Sequence, residues 1–156
     1  MYIGNNVVKA KENISNVCQI KNGTKRILSY AFSGCVELES IVIPDSVSTI
    51  GTYAFNNCTG LKAVKFGKGI TDVYDSAFNG CSNIEKVDIP SIALWCKIHF
   101  GYVLYSDWSS HRSFTCNPLY YGADLYVNGF LQTNIVISNV EAIDIYTFYN
   151  CKSLKT

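Results

Sequence analysis

The feature that most constrains this chain is a motif that occurs four times. It reads YAFSGCVEL from Tyr30, YAFNNCTGL from Tyr53, SAFNGCSNI from Ser76 and YTFYNCKSL from Tyr146. The first three copies follow one another at a spacing of 23 residues. A fixed period of about 20 to 29 residues is typical of a solenoid, in which each repeat buries its apolar face against the next repeat.

The segments between the copies carry the pattern of β-strands. In LESIVI, LKAVKF and IEKVDI, apolar residues at the fourth and sixth positions alternate with polar or small ones. Alternation with a period of two indicates a strand that has one buried face. We therefore predict that each coil supplies one strand to a parallel sheet, near residues 18–20, 39–43, 62–66 and 85–89.

A short helical turn is predicted after each strand and its return segment. The residue types before it can accept hydrogen bonds from the free N–H groups of a helix start. These residues are Ser29, Thr52 and Asp75. The turn should end in the left-handed region, which glycine and asparagine enter at the lowest cost. The residues predicted to have positive φ are Gly34, Asn57, Gly80 and Asn150.

The phenylalanines and cysteines of the motif are predicted to be structural. Phenylalanine points into the core, and cysteine is a small apolar filler beneath the turn. The two ladders comprise Phe32, Phe55, Phe78 and Phe148, and Cys35, Cys58, Cys81 and Cys151. Seven cysteines without a CxxC spacing argue against a disulfide scaffold or a zinc knuckle. Buried reduced thiols are expected, and redox chemistry or metal binding stays open as the functional alternative.

The pattern AFxxCxxLxxIxIPxxVxxIGxxAF, present as Ala31 to Phe55, resembles the BspA-type leucine-rich repeats of bacterial cell-surface proteins. The block between the regular coils carries the markers IPS, WC, NPL and LYVNG and looks like the longer variant repeat of that family. The resemblance implies an α/β repeat solenoid of the leucine-rich-repeat type, with 23-residue coils that each have one parallel strand and a short helical turn. Phe66-Gly67 and Thr147 depart from the pattern.

The whole chain, 1–156, is expected to form one domain. It would comprise an N-terminal edge segment (1–14), regular coils (15–92), a variant repeat (93–134) and a last, truncated coil (135–156). Within the variant repeat, LYVNGFLQT reads as a hairpin with a type I′ turn at Asn128-Gly129. The N-terminus does not read as a secretory signal, so an exported protein would contain this chain as a fragment.

Charge and hydropathy exclude some partners. The net charge is +1 with both signs mixed along the chain, so no basic stripe is present to bind nucleic acid. The longest apolar run, 92–105, is interrupted by Lys97 and His99 and is too short to span a bilayer. The resemblance implies a secreted or surface-attached adhesion module that binds a host surface or matrix protein, or another bacterial surface protein. It implies no catalytic residue, no metal and no cofactor.

Two groups of residues are candidates for protein binding. The segment outside the 23-residue period is rich in the residue types that dominate interface energies. Its candidates are Tyr102, Tyr105, Trp108, Arg112 and Phe114. The second group lies at strand positions expected to be exposed: Lys65, Lys86 and Asp88. The alternatives are a satellite core for the first group and a merely solvated sheet face for the second.

An alternative function uses the cysteine and histidine residues of the insert 93–117. Cys96, His99, His111 and Cys116 could form a zinc site, although their spacing in the sequence is only a weak indication of zinc binding. Asp107, Ser109 and His111 contain the residue types of a hydrolytic triad, but the sequence does not indicate an oxyanion site. Cys96 follows Trp95 in a pair that is also a packing marker of the variant repeat.

Overall fold

A computed structural model of the chain describes residues 1–7, 9, 10, 14, 16–102, 114–138, 143 and 147–154, and of Tyr102 and Phe114 the backbone alone. In this part of the chain, twelve short strands form two six-stranded sheets. Sheet A has the order β1 (Tyr2–Ile3), β2 (Asn6–Val7), β4 (Arg26–Ile27), β6 (Thr49–Ile50), β8 (Asp72–Tyr74) and β10 (His99–Tyr102). Sheet B has the order β12 (Phe130–Leu131), β11 (Asp124–Val127), β9 (Lys86–Ile89), β7 (Ala63–Lys65), β5 (Ser40–Val42) and β3 (Val17–Gln19). Helix α1 (Ile92–Trp95) and the 3₁₀ turns Phe114–Cys116 and Pro118–Tyr121 lie in the variant repeat.

Each regular coil adds one strand to sheet B and then one to sheet A. Ile41 pairs with Val64, and Val64 pairs with Val87, so neighbouring coils are parallel and in register. The solenoid fold and the predicted strands of sheet B are confirmed. The strands of sheet A were predicted only as a return across the coil. Several of them are two residues long, too short to display an alternation in the sequence.

The core lies between the two sheets and contains the predicted ladders. The rings of Phe32 and Phe55 stack at 5.0 Å, and those of Phe55 and Phe78 also stack at 5.0 Å. Beside them, the Cys58 thiol donates to the carbonyl of Phe32, and the Cys81 thiol donates to that of Phe55, each at 3.0 Å. The cysteine therefore fills space and also satisfies a backbone acceptor of the preceding coil.

The turn after sheet A is not the helical turn that the sequence suggested. Alternate N–H groups, for example those of Phe32 and Gly34, donate to carbonyls of the next coil, while Ala31 and Ser33 donate to residues three positions earlier. N–H groups engaged by the next coil are unavailable to an α-helix, so successive tight turns form instead. They do end in the left-handed region, as predicted: φ is 74° at Gly34, 55° at Asn57, 75° at Gly80 and 57° at Asn150.

The variant repeat preserves these ladder bonds with a different group. The Tyr121 hydroxyl accepts from the Gly80 N–H at 2.9 Å and donates to the Phe78 carbonyl at 2.9 Å. In the regular coils, a backbone carbonyl of the next coil and a cysteine thiol make the equivalent two bonds. One phenol therefore replaces two groups where the 23-residue period is interrupted.

Each sheet has an antiparallel hairpin at one edge. β1 pairs with β2 at the N-terminal edge of sheet A, and β12 pairs with β11 at the opposite edge of sheet B. The second hairpin was predicted, and φ values of 50° at Asn128 and 85° at Gly129 fit its type I′ turn. The first was expected only as an edge segment, and it buries Val7 against the core.

Candidate functional site

The outer face of sheet B presents two rows of side chains. In β5 and β7 the middle residue is buried and its two neighbours are half-buried or exposed. Strand pairing aligns Ser40, Ala63, Lys86 and Asp124 in one row, and Val42, Lys65, Asp88 and Tyr126 in the other. This face is rigid because every strand in it is paired on both sides from β5 to β11.

Asp88 does not have the exposed position that the sequence suggested. Its residue is only 7% exposed, and its carboxylate accepts from the Gly129 N–H at 2.9 Å. The hairpin between β11 and β12 folds back over β9 and covers this carboxylate. Asp88 therefore holds the hairpin, and the exposure that the sequence suggested for its side chain is wrong.

The two lysines of the candidate group stay on the outer face. Lys65 is exposed, and the Lys86 ammonium lies 4.1 Å from the centre of the Tyr126 ring. Within the described residues, the salt bridges are Lys62 with Glu39 and His99 with Asp72, so neither Lys65 nor Lys86 is in an ion pair. The face thus offers two cations that are in no ion pair, one aromatic ring and, opposite Lys86, the half-buried Asp124. Tyr126 was not selected from the sequence, although the LYVNG marker contains it.

The hairpin beside this face is held firmly. The Asn128 N–H donates to the Ile89 carbonyl at 3.0 Å, and the Asn128 amide donates to the Pro90 carbonyl at 3.1 Å. With the bond from Gly129 to Asp88, three hydrogen bonds fix the turn on β9 and the residue after it. The next two residues, Phe130 and Leu131, are exposed. A rigid turn thus presents an apolar pair to solvent.

The aromatic segment between Tyr102 and Phe114 is placed only at its two ends. Tyr102 is the last residue of β10, at the edge of sheet A, and Phe114 begins a 3₁₀ turn. Tyr105, Trp108 and Arg112 lie outside the described residues. The role of this segment therefore stays a prediction.

The candidate zinc residues do not form one cluster where the structure describes them. Cys96 and Cys116 are buried, while the His99 imidazole is largely exposed and lies 3.2 Å from the Asp72 carboxylate. His111, Asp107 and Ser109 lie outside the described residues. Where side chains are described, no three His, Cys, Asp or Glu residues are grouped as metal ligands would be.

Trp95, next to Cys96, is a packing residue. It is buried, and its indole N–H donates to the Thr147 carbonyl at 2.9 Å. The Asn117 amide donates to the same carbonyl at 3.1 Å. Trp95 of the WC marker and Asn117 of the NPL marker thus join the variant repeat to the last coil.

The ladder cysteines are poor candidates for redox chemistry. All seven cysteines are free thiols, and Cys58, Cys81 and Cys151 are buried. A side-chain hydrogen bond with Cys81, together with burial, raises the pKa of the Cys58 thiol. Burial also raises the pKa of Cys35, which is half-buried. The reactive species is the thiolate, and this environment disfavours it.

Comparisons with known proteins agree with this architecture. The family model described as BspA type leucine rich repeat region matches residues 1–102 and 120–156, in six copies. A leucine rich cell surface protein from Faecalibacterium prausnitzii A2-165 is 37% identical over 55% of this chain, with a TM-score of 0.51. A leucine rich repeat protein of T. pallidum is 25% identical over 48% of this chain and 41% of its own, with a TM-score of 0.45.

A leucine-rich repeat protein from Bacteroides ovatus ATCC 8483 is 25% identical over 47% of this chain and 23% of its own, with a TM-score of 0.44. The chain spans 23% of the length of the Faecalibacterium protein. No curated protein matches it. Among the helices described, none has the length and apolar character needed to cross a bilayer.

Proposed function

The chain belongs to the family of BspA-type leucine-rich repeats, and from that premise we propose that it is a cell-surface or secreted module that binds proteins and mediates adhesion. The partner would be a host surface or matrix protein, or another bacterial surface protein. The proposal assigns the chain no catalytic step. The similar protein from Faecalibacterium prausnitzii, a leucine rich cell surface protein, supports the location.

The observation that carries the proposal is the unpaired charge on the outer face of sheet B. Lys65 and Lys86 occupy diagonal positions on neighbouring strands, because Ala63 pairs with Lys86 and Lys65 with Asp88. The carboxylate of Asp88, which could have neutralised them, is engaged by the hairpin. A rigid face with free cations beside the Tyr126 ring is suited to a protein partner that carries acidic side chains.

Binding through this face is tested by reversing its charge. The purified chain is immobilised and used to capture proteins from extracts of epithelial cells, extracellular matrix and bacterial surfaces. We expect the double variant Lys65→Glu/Lys86→Glu to lose the captured partner. The matched control, Lys25→Glu/Arg26→Glu, makes the same charge change on sheet A and should retain it. Equal capture by both variants would exclude the face of sheet B.

The aromatic segment is tested separately, with Trp108→Ala. If Trp108 is an exposed anchor, the variant should bind the captured partner more weakly by about 2 kcal/mol and melt like the parent protein. If Trp108 is buried, the variant should instead lose about 3 to 5 kcal/mol of stability. A melting curve of this variant separates the two roles, and a large drop in the midpoint would leave the face of sheet B as the recognition surface.

A further inference from the structure

We propose that the basic turn, residues 21–26 with the sequence KNGTKR, binds a sulfated polysaccharide. The turn lies between the N-terminal hairpin and the second coil, away from the face of sheet B. Only the extracellular location rests on the proposed function, because sulfated polysaccharides are found outside cells. The ligand is a polysaccharide and not a protein, so the two surfaces have separate tests.

Positive charge is concentrated in the N-terminal part of the chain. Residues 1–36 contain five Lys and Arg residues and one acidic residue, whereas the rest of the chain contains eight basic and eleven acidic residues. In the basic turn, Lys21, Lys25 and Arg26 are exposed, and none of them is in an ion pair with a described residue. Three cations in six residues, without a neutralising partner, attract an anionic ligand.

The backbone of the basic turn is held from both sides. Within the turn, the N–H and the hydroxyl of Thr24 donate to the Lys21 carbonyl, at 3.2 and 2.6 Å. The Lys21 N–H donates to the Tyr2 hydroxyl of the N-terminal hairpin at 3.1 Å. The Gly23 N–H donates to the Ser46 hydroxyl of the next coil at 3.0 Å. These bonds leave the charged side chains available, and a ligand has little backbone to order.

The composition of the basic turn fits a polysaccharide better than a protein or a nucleic acid. None of its six residues carries an apolar or aromatic side chain. Protein interfaces have an apolar or aromatic centre and are depleted in Lys, and single-stranded nucleic acid binds through stacked aromatic side chains. Instead, the turn offers the exposed Asn22 amide beside its ammonium groups and the Arg26 guanidinium, which suits oxyanions. Sulfate esters and sugar hydroxyls supply the acceptors that these donors require.

Acidic side chains near the basic turn favour a narrow ligand over a flat one. Asp45 lies 23 residues after Asn22, at the same position of the next coil, and it is exposed. Strand pairing places Thr49 beside Arg26 and Asp72 beside Thr49, in one row of sheet A. An anionic lipid surface would cover several coils and meet these carboxylates. A linear polysaccharide can follow the one coil that carries the cations.

Heparin is the probe for this class of ligand. We expect the intact chain to bind immobilised heparin at low salt and to be released as the salt concentration rises, because counterions compete for the dense negative charge. The variant Lys21→Gln/Lys25→Gln/Arg26→Gln should melt like the parent and bind heparin about tenfold more weakly or less. The slope of log Kd against log salt concentration should fall by about one for each cation removed.

The matched control removes three cations elsewhere on the solenoid, in the variant Lys65→Gln/Lys68→Gln/Lys86→Gln. This control makes the same change in net charge and should keep the affinity for heparin. It also removes both lysines from the face of sheet B and should lose the captured protein. The failure of either proposal is therefore distinguishable from the failure of the other.

A second variant covers the case in which the triple substitution affects folding. Asp45→Asn removes the exposed carboxylate of the next coil but keeps the side-chain oxygen, which accepts from the Lys68 N–H at 2.9 Å. It should bind heparin about twofold more tightly, and an unchanged affinity would contradict a path along the basic turn.

A parent chain that does not bind heparin at low salt would overturn the proposal. Equal binding by the two triple variants would also overturn it, because the ligand would then lie elsewhere. The same measurement with vesicles of anionic phospholipid and with a single-stranded oligonucleotide tests the class of ligand. Tighter binding of the parent to either of these than to heparin would assign the cations to a different ligand and exclude the polysaccharide.

Discussion

At the scale of single residues, the left-handed positions of the turn have two different origins. Asn57 and Asn150 were predicted from residue type, because asparagine enters this region at a low cost. Tyr30 and Tyr53, with φ values of 59° and 54°, also lie in it and were not predicted. Tyrosine loses about 1 to 2 kcal/mol there. Ser76 has the same repeat position and a φ of 55°, so the backbone geometry of the repeat imposes this conformation and the ring does not.

The left-handed position of Asn57 gives a direct prediction. Asn57→Gly should be nearly neutral, since glycine adopts positive φ freely. Asn57→Val should lose on the order of 1 kcal/mol or more, because a β-branched side chain is strained there. Urea unfolding of the two variants measures the difference. If they are equally stable, φ does not determine the residue type at this position.

Thr147 carries the one buried side-chain polar atom without a hydrogen-bond partner in the described part of the chain, its hydroxyl oxygen. The repeat pattern has alanine here, so the hydroxyl is an unsatisfied addition to the core. Thr147→Val keeps the shape, removes the hydroxyl and should stabilise the fold by about 1 kcal/mol. The matched control is Thr24→Val, because the buried Thr24 hydroxyl donates to the Lys21 carbonyl at 2.6 Å. That variant should be destabilised, and thermal unfolding of both tests the contrast.

At the scale of elements, the sequence predicted what has a local pattern. The strands of sheet B alternate clearly, and the hairpin has its Asn-Gly turn. The tight turns after sheet A were predicted as helix because their hydrogen bonds to the next coil are non-local and leave no local pattern in the sequence. The departure of Phe66 from the repeat pattern also reflects a contact distant in the sequence. Its ring packs edge to face on that of Trp95, with the ring centres 5.1 Å apart. The candidate site was only partly predictable, since Asp88 is buried by a hairpin whose bonding residue, Gly129, lies 41 residues later.

The Tyr121 hydroxyl joins the variant repeat to the regular coil before it through two hydrogen bonds. Tyr121→Phe should lose about 1 to 3 kcal/mol, because the Gly80 N–H and the Phe78 carbonyl both lose this partner. The control is Tyr53→Phe, for whose hydroxyl no hydrogen bond is found among the described residues. It should be nearly neutral. Chemical denaturation of the two variants measures the difference, and equal losses would show that the phenol does not complete the ladder.

The same phenol makes stability depend on alkaline pH. Burial, with a smaller contribution from Cys81, raises the pKa of Tyr121 from 10.0 to about 12. Below pH 10 both the folded and the unfolded state keep the proton, so the contribution is complete. Between pH 10 and about 12 the unfolded state releases the proton first, and the free energy of unfolding falls.

Between pH 10 and about 12, the melting temperature of Tyr121→Phe should fall less steeply with pH than that of the parent protein. Burial also raises the pKa of Cys18 and Cys96 above 9.0, and these thiols add a decline that begins at lower pH. Both proteins share that decline, so the comparison isolates the phenol. Parallel curves above pH 10 would contradict its titration.

At the scale of the whole molecule, the coils are coupled only to their neighbours. Sheet pairing, the cysteine bonds and the phenylalanine stack all connect each coil to the one before and the one after. Such a chain is a one-dimensional array whose stability is approximately a sum of coil and interface contributions. A central residue takes part in two interfaces, whereas a residue of the last described coil takes part in one. Position along the array should therefore determine the effect of an otherwise identical substitution.

Phe55→Ala and Phe148→Ala test this dependence on position. The Phe55 ring is fully buried and stacks on both Phe32 and Phe78, so its loss should cost about 3 to 5 kcal/mol. Phe148 is only half-buried, and its loss should cost less than half as much. In urea, Phe55→Ala should also lower the m-value or separate the transition into two steps, because the coils on either side lose their coupling. Phe148→Ala should shift the midpoint with an unchanged slope, and an equal loss in both variants would contradict the array description.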